Sequence, residues 1–223
     1  MENIKDYRIK IVTGKYQNAP LEQKRMIQEL FGENTENNYE IYFHWYNVIH
    51  ELGHAIMMFN SLSRPHPVEE EQLVNNFAYA YWQYYGEKKK LKEFCSIVDE
   101  TIQKFTIPTR NNKSYIDYAK DKWGKEELFT FNNYGWFQFS SVKTAITGAQ
   151  NLEQALNRMC SSQVFPNKAE TMQYEICDQM AAQVVADAVR SLKKWGVLLP
   201  ENIEIVFCDD VNCHMCQAEN ISQ

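Results

Sequence analysis

The pentapeptide His50-Glu51-Leu52-Gly53-His54 constrains this chain more than any other stretch of it. Two imidazoles four residues apart lie on one face of an α-helix, about one turn from each other, where they can chelate a single metal ion. The pattern therefore asks for a helix, and the flanks suit one buried on most of its surface. Val48-Ile49, Leu52, Gly53 and Ala55-Ile56 are all uncharged. Glu51 stands beside the first imidazole, close to any water in an open coordination position. Zinc lowers the pKa of such a water towards ~7, and an adjacent carboxylate can take its proton and hand it to a leaving amine. The plainer alternative is a helix whose two histidines bind nothing.

Catalytic zinc usually has three protein ligands and a water, so the third ligand must be found elsewhere. One common arrangement places a His six residues, and a Gly three residues, beyond the second His. Those positions hold Asn60 and Met57, which excludes that class, and His66 stands at the wrong distance. The acidic start of the next helix, Glu69-Glu70-Glu71-Gln72-Leu73-Val74-Asn75-Asn76-Phe77-Ala78, offers a better source. Glu71 and Asn75 are four apart and share a face. The carboxylate can bind the metal while the Asn carbonyl accepts the free ring N–H of a liganding His. Glu70 occupies the same broad arc and is the alternative ligand. An acidic first turn that merely interacts with the helix dipole is the plainer reading of this stretch.

His50, His54, Glu71, Asn75 and the Phe77-Ala78 pair together resemble the gluzincin clan of zinc peptidases, and within it the ImmA/IrrE-like peptidases. The likeness covers roughly residues 48 to 82, with Val74 bulkier than the Ala usual at its position. It implies a zincin-like α+β fold, Zn²⁺ as cofactor, and a peptide or protein substrate hydrolysed with Glu51 as general base and acid. Peptidases of this clan commonly use a Tyr or His to stabilise the oxyanion. Tyr134, flanked by Asn133 and Gly135 in an expected loop, is the candidate here, with His44 as the alternative. A zinc-binding regulatory or protein-interaction module without hydrolytic activity is the reading from a different class.

The remaining periodicities give a mostly helical α+β chain with a small N-terminal sheet. Residues 7–13 alternate as a strand closed by Gly14, and 20–31 form a helix opened by Pro20 and ended by Gly32. Residues 33–38 read as a loop, and 39–43 as a short strand or the lead into the metal helix at about 44–60. Further helices are expected at 68–85, 88–105, 113–123, 140–149 and 151–160. The longest runs over 167–195, with Ile176, Met180, Val184, Val185, Ala188 and Leu192 on one side. A strand follows at 203–207. The expected division is a zincin-like domain over 1–200 and a strand with a Cys-rich tail over 201–223.

With 223 residues and 44% hydrophobic content the chain can bury a sizeable core. A net charge of −6 argues against nucleic acid as a partner, Lys88-Lys89-Lys90 being too short a run to track phosphates. No apolar stretch is long enough for a membrane span, and Met1 to Asp6 contains no signal h-region, so a cytoplasmic location and no membrane partner are expected. Of the six cysteines, Cys95, Cys160 and Cys177 read as small core residues. Cys208, Cys213, His214 and Cys216 pack four soft ligands into nine residues, a candidate second metal site or, for the last two cysteines, a redox pair.

Overall fold

The computed structural model describes Ile4 and residues 7–109, 113–148, 150–208 and 219–220. Its centre is one unbroken helical run: α2 (Thr35–Tyr39), a π-helical segment (Glu40–Asn47) and α3 (Val48–Asn60). The expected loop at 33–38 is thereby corrected, and of the two readings of 39–43 the structure has the lead into the metal helix rather than the strand. A 3₁₀ turn at Gly32–Asn34 is followed by helix, and the Thr35 hydroxyl donates to the Gly32 carbonyl. Tyr39 to Tyr46 is so rich in aromatics that local propensity favours a strand. Distant rings decide otherwise. Tyr42 stacks on Phe139 with centroids 4.5 Å apart, Trp45 on Trp82 at 3.9 Å and Tyr46 on Phe94 at 4.1 Å. Such pairs add about 0.5–1.5 kcal/mol each beyond the area they bury.

Around this run lie α1 (Leu21–Phe31), α4 (Pro67–Tyr85), α5 (Lys88–Ile102), α6 (Tyr115–Lys122), α7 (Phe131–Gly148), α8 (Leu152–Met159) and α9 (Met180–Lys194). A small sheet packs on α3 through its central strand β1 (Arg8–Gly14). β1 pairs in parallel with β2 (Asn202–Cys208) from Arg8↔Asn202 to Gly14↔Cys208, and antiparallel with β3 (Glu219–Asn220) at Ile9 and Lys10. Alternation buries Ile9, Ile11 and Thr13 on one face. The end of β1 is tied to the helical run, because the Gly14 carbonyl accepts from His44 Nε2 at 2.9 Å and from the Tyr39 hydroxyl at 3.2 Å. The chain is thus mostly helical with a small sheet, as expected, and no helix of the described residues is long and apolar enough to cross a membrane.

Two further expectations are corrected. Residues 134–139 are helical: α7 begins at Phe131, and Gly135 marks close packing, since a β-carbon there would lie 2.4 Å from Phe105 Cε1. Tyr134 therefore stands on a helix and not in a loop. The helix expected from 167 begins only at Met180. The chain before it is held extended by partners along its length. Met172 N–H donates to the Tyr85 carbonyl at 2.7 Å, Phe165 N–H to that of Trp195 at 3.0 Å, and the Tyr84 hydroxyl to that of Asn167. Backbone groups satisfied this way do not need a helix. Ile176 and Cys177 are exposed as a result, whereas Cys95 and Cys160 pack against the core.

Helices α3 and α4 approach each other closely at Gly53. A β-carbon on it would sit 2.9 Å from Val74 Cβ and 3.2 Å from Phe77 Cδ1, both in wholly buried side chains. The bulk of Val74 is accommodated by the glycine opposite. Gly53→Ala is expected to force the helices apart and destabilise the fold by about 1–3 kcal/mol, measured by chemical denaturation of the metal-free protein, despite the better helix propensity of Ala.

Candidate metal centre

Both imidazoles of the pentapeptide are held by their Nδ1 atoms, and both turn Nε2 towards Glu71. His50 Nδ1–H donates to Asn75 Oδ1 at 2.9 Å, and His54 Nδ1–H to Glu70 Oε1 at 2.7 Å. On the other side His50 Nε2 lies 3.3 Å from Glu71 Oε2, and His54 Nε2 lies 3.7 Å from Glu71 Oε1. One donor atom from each of His50, His54 and Glu71 falls within 4.8 Å of the others. A tetrahedral ion with bonds of about 2.0–2.1 Å needs its donors about 3.3–3.4 Å apart, so the grouping suits a metal of that kind. These three residues can bind a metal ion.

Asn75, which accepts from His50, is itself held firmly. It is 1% exposed, and its amide donates at 3.0 Å to both the Glu71 carbonyl and Ser141 Oγ, while the Tyr46 hydroxyl donates to its Oδ1 at 3.1 Å. Glu70, the alternative ligand, stands outside the three-donor group: it braces His54 and is gripped by Arg64. The choice between adjacent glutamates follows from register. α4 crosses α3 so that Glu71 faces between the two Nε2 atoms and Glu70 faces the back of the His54 ring.

Charge supports a cation. Burial pushes the Glu51 carboxyl up to about 7, against the opposing pull of His50 and His54. Burial also works against the charge on Glu71, but the His50 hydrogen bond and both imidazoles outweigh it and hold the carboxyl down at about 2. Burial likewise opposes a proton on His54; the Glu70 hydrogen bond and the charges of Glu71 and Glu51 overcome it, raising the imidazole to about 9. When both imidazoles are neutral, as metal ligands must be, and Glu51 is ionised, the carboxylates of Glu51, Glu70 and Glu71 against the guanidinium of Arg64 leave two negative charges in a largely buried space. A divalent ion cancels them.

Glu51 is 5% exposed, and Asn47 Nδ2 lies 3.4 Å from its Oε1. Its Oε2 is buried with no hydrogen-bond partner among the described residues. Glu51, His50, His54, Glu71 and Tyr134 all line one cleft of about 690 Å³. Tyr134 reaches Glu71 through a residue the sequence did not single out: Gln138 Nε2 donates to Glu71 Oε2 at 3.0 Å and to the Tyr134 hydroxyl at 2.8 Å. Burial, then the nearby charge of Glu71, keeps the phenol well above its ordinary pKa and therefore protonated. Its spacing of four from Tyr134 would have drawn attention to Gln138 had this stretch been read as helix. His44 is corrected as a candidate, since both ring nitrogens are engaged, Nε2 with Gly14 and Nδ1 with Glu40 at 2.6 Å. Cys208 closes β2 and lines the cleft; Cys213, His214 and Cys216 lie outside the described residues.

No known protein family, curated protein or solved structure matches the chain.

Glu71→Ala is expected to weaken metal binding by orders of magnitude, while Asn75→Ala loses about 10–100-fold. Glu69→Ala, a change in an exposed residue paired with Lys120, leaves the affinity unchanged. Competition with a chromogenic chelator reads all three. Affinity must also fall with pH: below about 9 the metal-free protein carries a proton on His54 that the metal has to displace. Displacing one proton weakens binding up to about tenfold for each unit the pH drops.

Proposed function

We propose that this chain is a gluzincin-type zinc peptidase, with His50, His54 and Glu71 as metal ligands and Glu51 as the general base and acid. The observation that carries this reading is the unpartnered, buried Glu51 Oε2 beside the ligand group. An orphaned buried polar atom costs about 1–3 kcal/mol, more if charged. A site built only to hold a metal gains nothing from it. A site that moves a proton needs such an atom.

Two nitrogens and one carboxylate oxygen are the donor set of many hydrolytic zinc centres. Zinc bound there supplies Lewis acidity towards water and the peptide carbonyl. The chain's own residues supply the rest. Glu51 Oε2 accepts a proton from the attacking water and returns it to the amide nitrogen as the C–N bond breaks, so the carboxylate ends as it began. Its shift towards neutrality brings both directions of transfer within reach near pH 7. Tyr134, protonated and with a lone pair taken up by Gln138, donates its hydrogen to the carbonyl oxygen as negative charge develops there. Met26, Phe31, Phe105, Phe129, Phe131 and Phe139 line the same cleft, which favours a substrate that carries apolar side chains.

Glu51→Gln tests the assignment. The amide takes no proton near pH 7, so cleavage of a mixed peptide library, followed by mass spectrometry, is expected to fall by about 10²–10⁴-fold with metal content unchanged. Equal cleavage by both proteins would show that a contaminant does the work. Full metal occupancy with no cleavage by the wild type would favour the non-hydrolytic module. Tyr134→Phe is expected to lower kcat by about 10²–10³-fold and leave KM and metal content near the wild-type values.

A further inference from the structure

We infer that Arg64 is a positioning residue for the metal centre, setting through Glu70 the orientation and tautomer of His54. The inference rests on His54 being a metal ligand, as proposed above.

Arg64 lies in the short connection between α3 and α4, a stretch with no periodicity to mark it. Local chemistry makes that connection stiff. Pro65 biases Arg64 towards extended backbone, and Pro67 occupies the first position of α4. His66 caps the helix, its ring Nδ1 accepting from Val68 N–H at 3.2 Å and its carbonyl accepting from the N–H groups of Glu69 and Glu70 at 2.8 and 3.0 Å. The guanidinium is thereby delivered onto the Glu70 carboxylate. Arg64 Nε donates to Glu70 Oε2 at 2.8 Å and Nη2 donates to Oε1, a two-point grip that fixes the plane of the carboxylate as well as its place. Glu70 Oε1 also accepts from His54 Nδ1. A carboxylate held in plane in this way allows only one ring rotation and keeps the proton on Nδ1, leaving Nε2 to the metal.

Comparison of the two imidazoles shows why the grip matters. His50 rests on Asn75, which is itself tied to Tyr46, Ser141 and the backbone of α4. Glu70 has no such brace. Among the described residues its carboxylate is hydrogen-bonded to His54 and Arg64 alone, although its side chain is only 5% exposed. One ligand is therefore fixed by the helix core and the other by a single residue of the connecting loop. The Arg64 side chain is 50% exposed and lines the cleft, so replacing it leaves no hole in the core.

The test is the Zn²⁺ affinity of the full chain, by chelator competition, with ¹⁵N spectra of the histidine rings in the zinc-loaded protein. Arg64→Ala is expected to weaken zinc by about 10–100-fold, the usual effect of losing support behind a ligand. The ring signals of His54 should change while those of His50 stay in place. Arg64→Lys, which keeps a charge but offers no fork, should fall between Ala and wild type. It also serves if the Ala variant does not fold. In a Glu70→Ala background Arg64→Ala should cost nothing more, because the route it acts through is gone. Wild-type affinity in Arg64→Ala, or the same loss with and without Glu70, overturns the inference. Unchanged zinc affinity in His54→Ala would instead overturn the ligand assignment beneath it, so the two failures are told apart.

Discussion

Two hydrogen bonds across the α3–α4 crossing, His50 to Asn75 and His54 to Glu70, carry the geometry of this protein's centre. Each takes up the ring nitrogen that does not face Glu71, and each needs its two helices at close range. That range is set at Gly53, where the absence of a β-carbon lets Val74 and Phe77 approach. A wider crossing would leave buried donors without acceptors, which costs more than the hydrogen bonds themselves contribute. Packing and polar satisfaction are therefore one constraint at this point. The side chain missing at position 53 is as much a part of the candidate centre as His50, His54 and Glu71.

The electrostatics depend on the same crossing. Crowding Glu51, Glu70 and Glu71 into a space where each side chain is 5–12% exposed would be strongly unfavourable without opposite charge. Arg64 offsets one carboxylate from the cleft wall. A divalent cation would offset the other two, and in its absence a proton on His54 does so in part. The raised pKa of His54 and the lowered one of Glu71 are two signs of that exchange.

Aromatic residues form much of the rest of the cleft wall. The π-helical segment presents Tyr42, Trp45 and Tyr46 to rings from α7, α4 and α5, so the helix carrying His50 is anchored just before its first ligand. π-helical turns are uncommon in proteins and concentrate at functional sites. Here the segment ends at Asn47, whose amide lies next to Glu51. α7 contributes Tyr134 and Gln138 on one face and Phe139 on the stack with Tyr42, joining the polar lining of the cleft to the aromatic core.

Residue spacing alone determined that His50 and His54 share a helical face, that Glu71 and Asn75 share another, and that strands flank a helical middle. Those are consequences of the 3.6- and 2-residue periods and need no partner. Tertiary structure decided whatever depends on two elements meeting. Glu70 and Glu71 are equivalent in composition and adjacent in sequence, and only the angle at which α4 crosses α3 gives one to the metal group and the other to the back of His54. The aromatic run from Tyr39 to Tyr46 became helix, and 167–179 did not, because distant rings and carbonyls satisfied them in those forms. Arg64 carried no signal whatever, since a lone cation in a proline-bounded loop acquires meaning only from the buried carboxylate that folding sets against it.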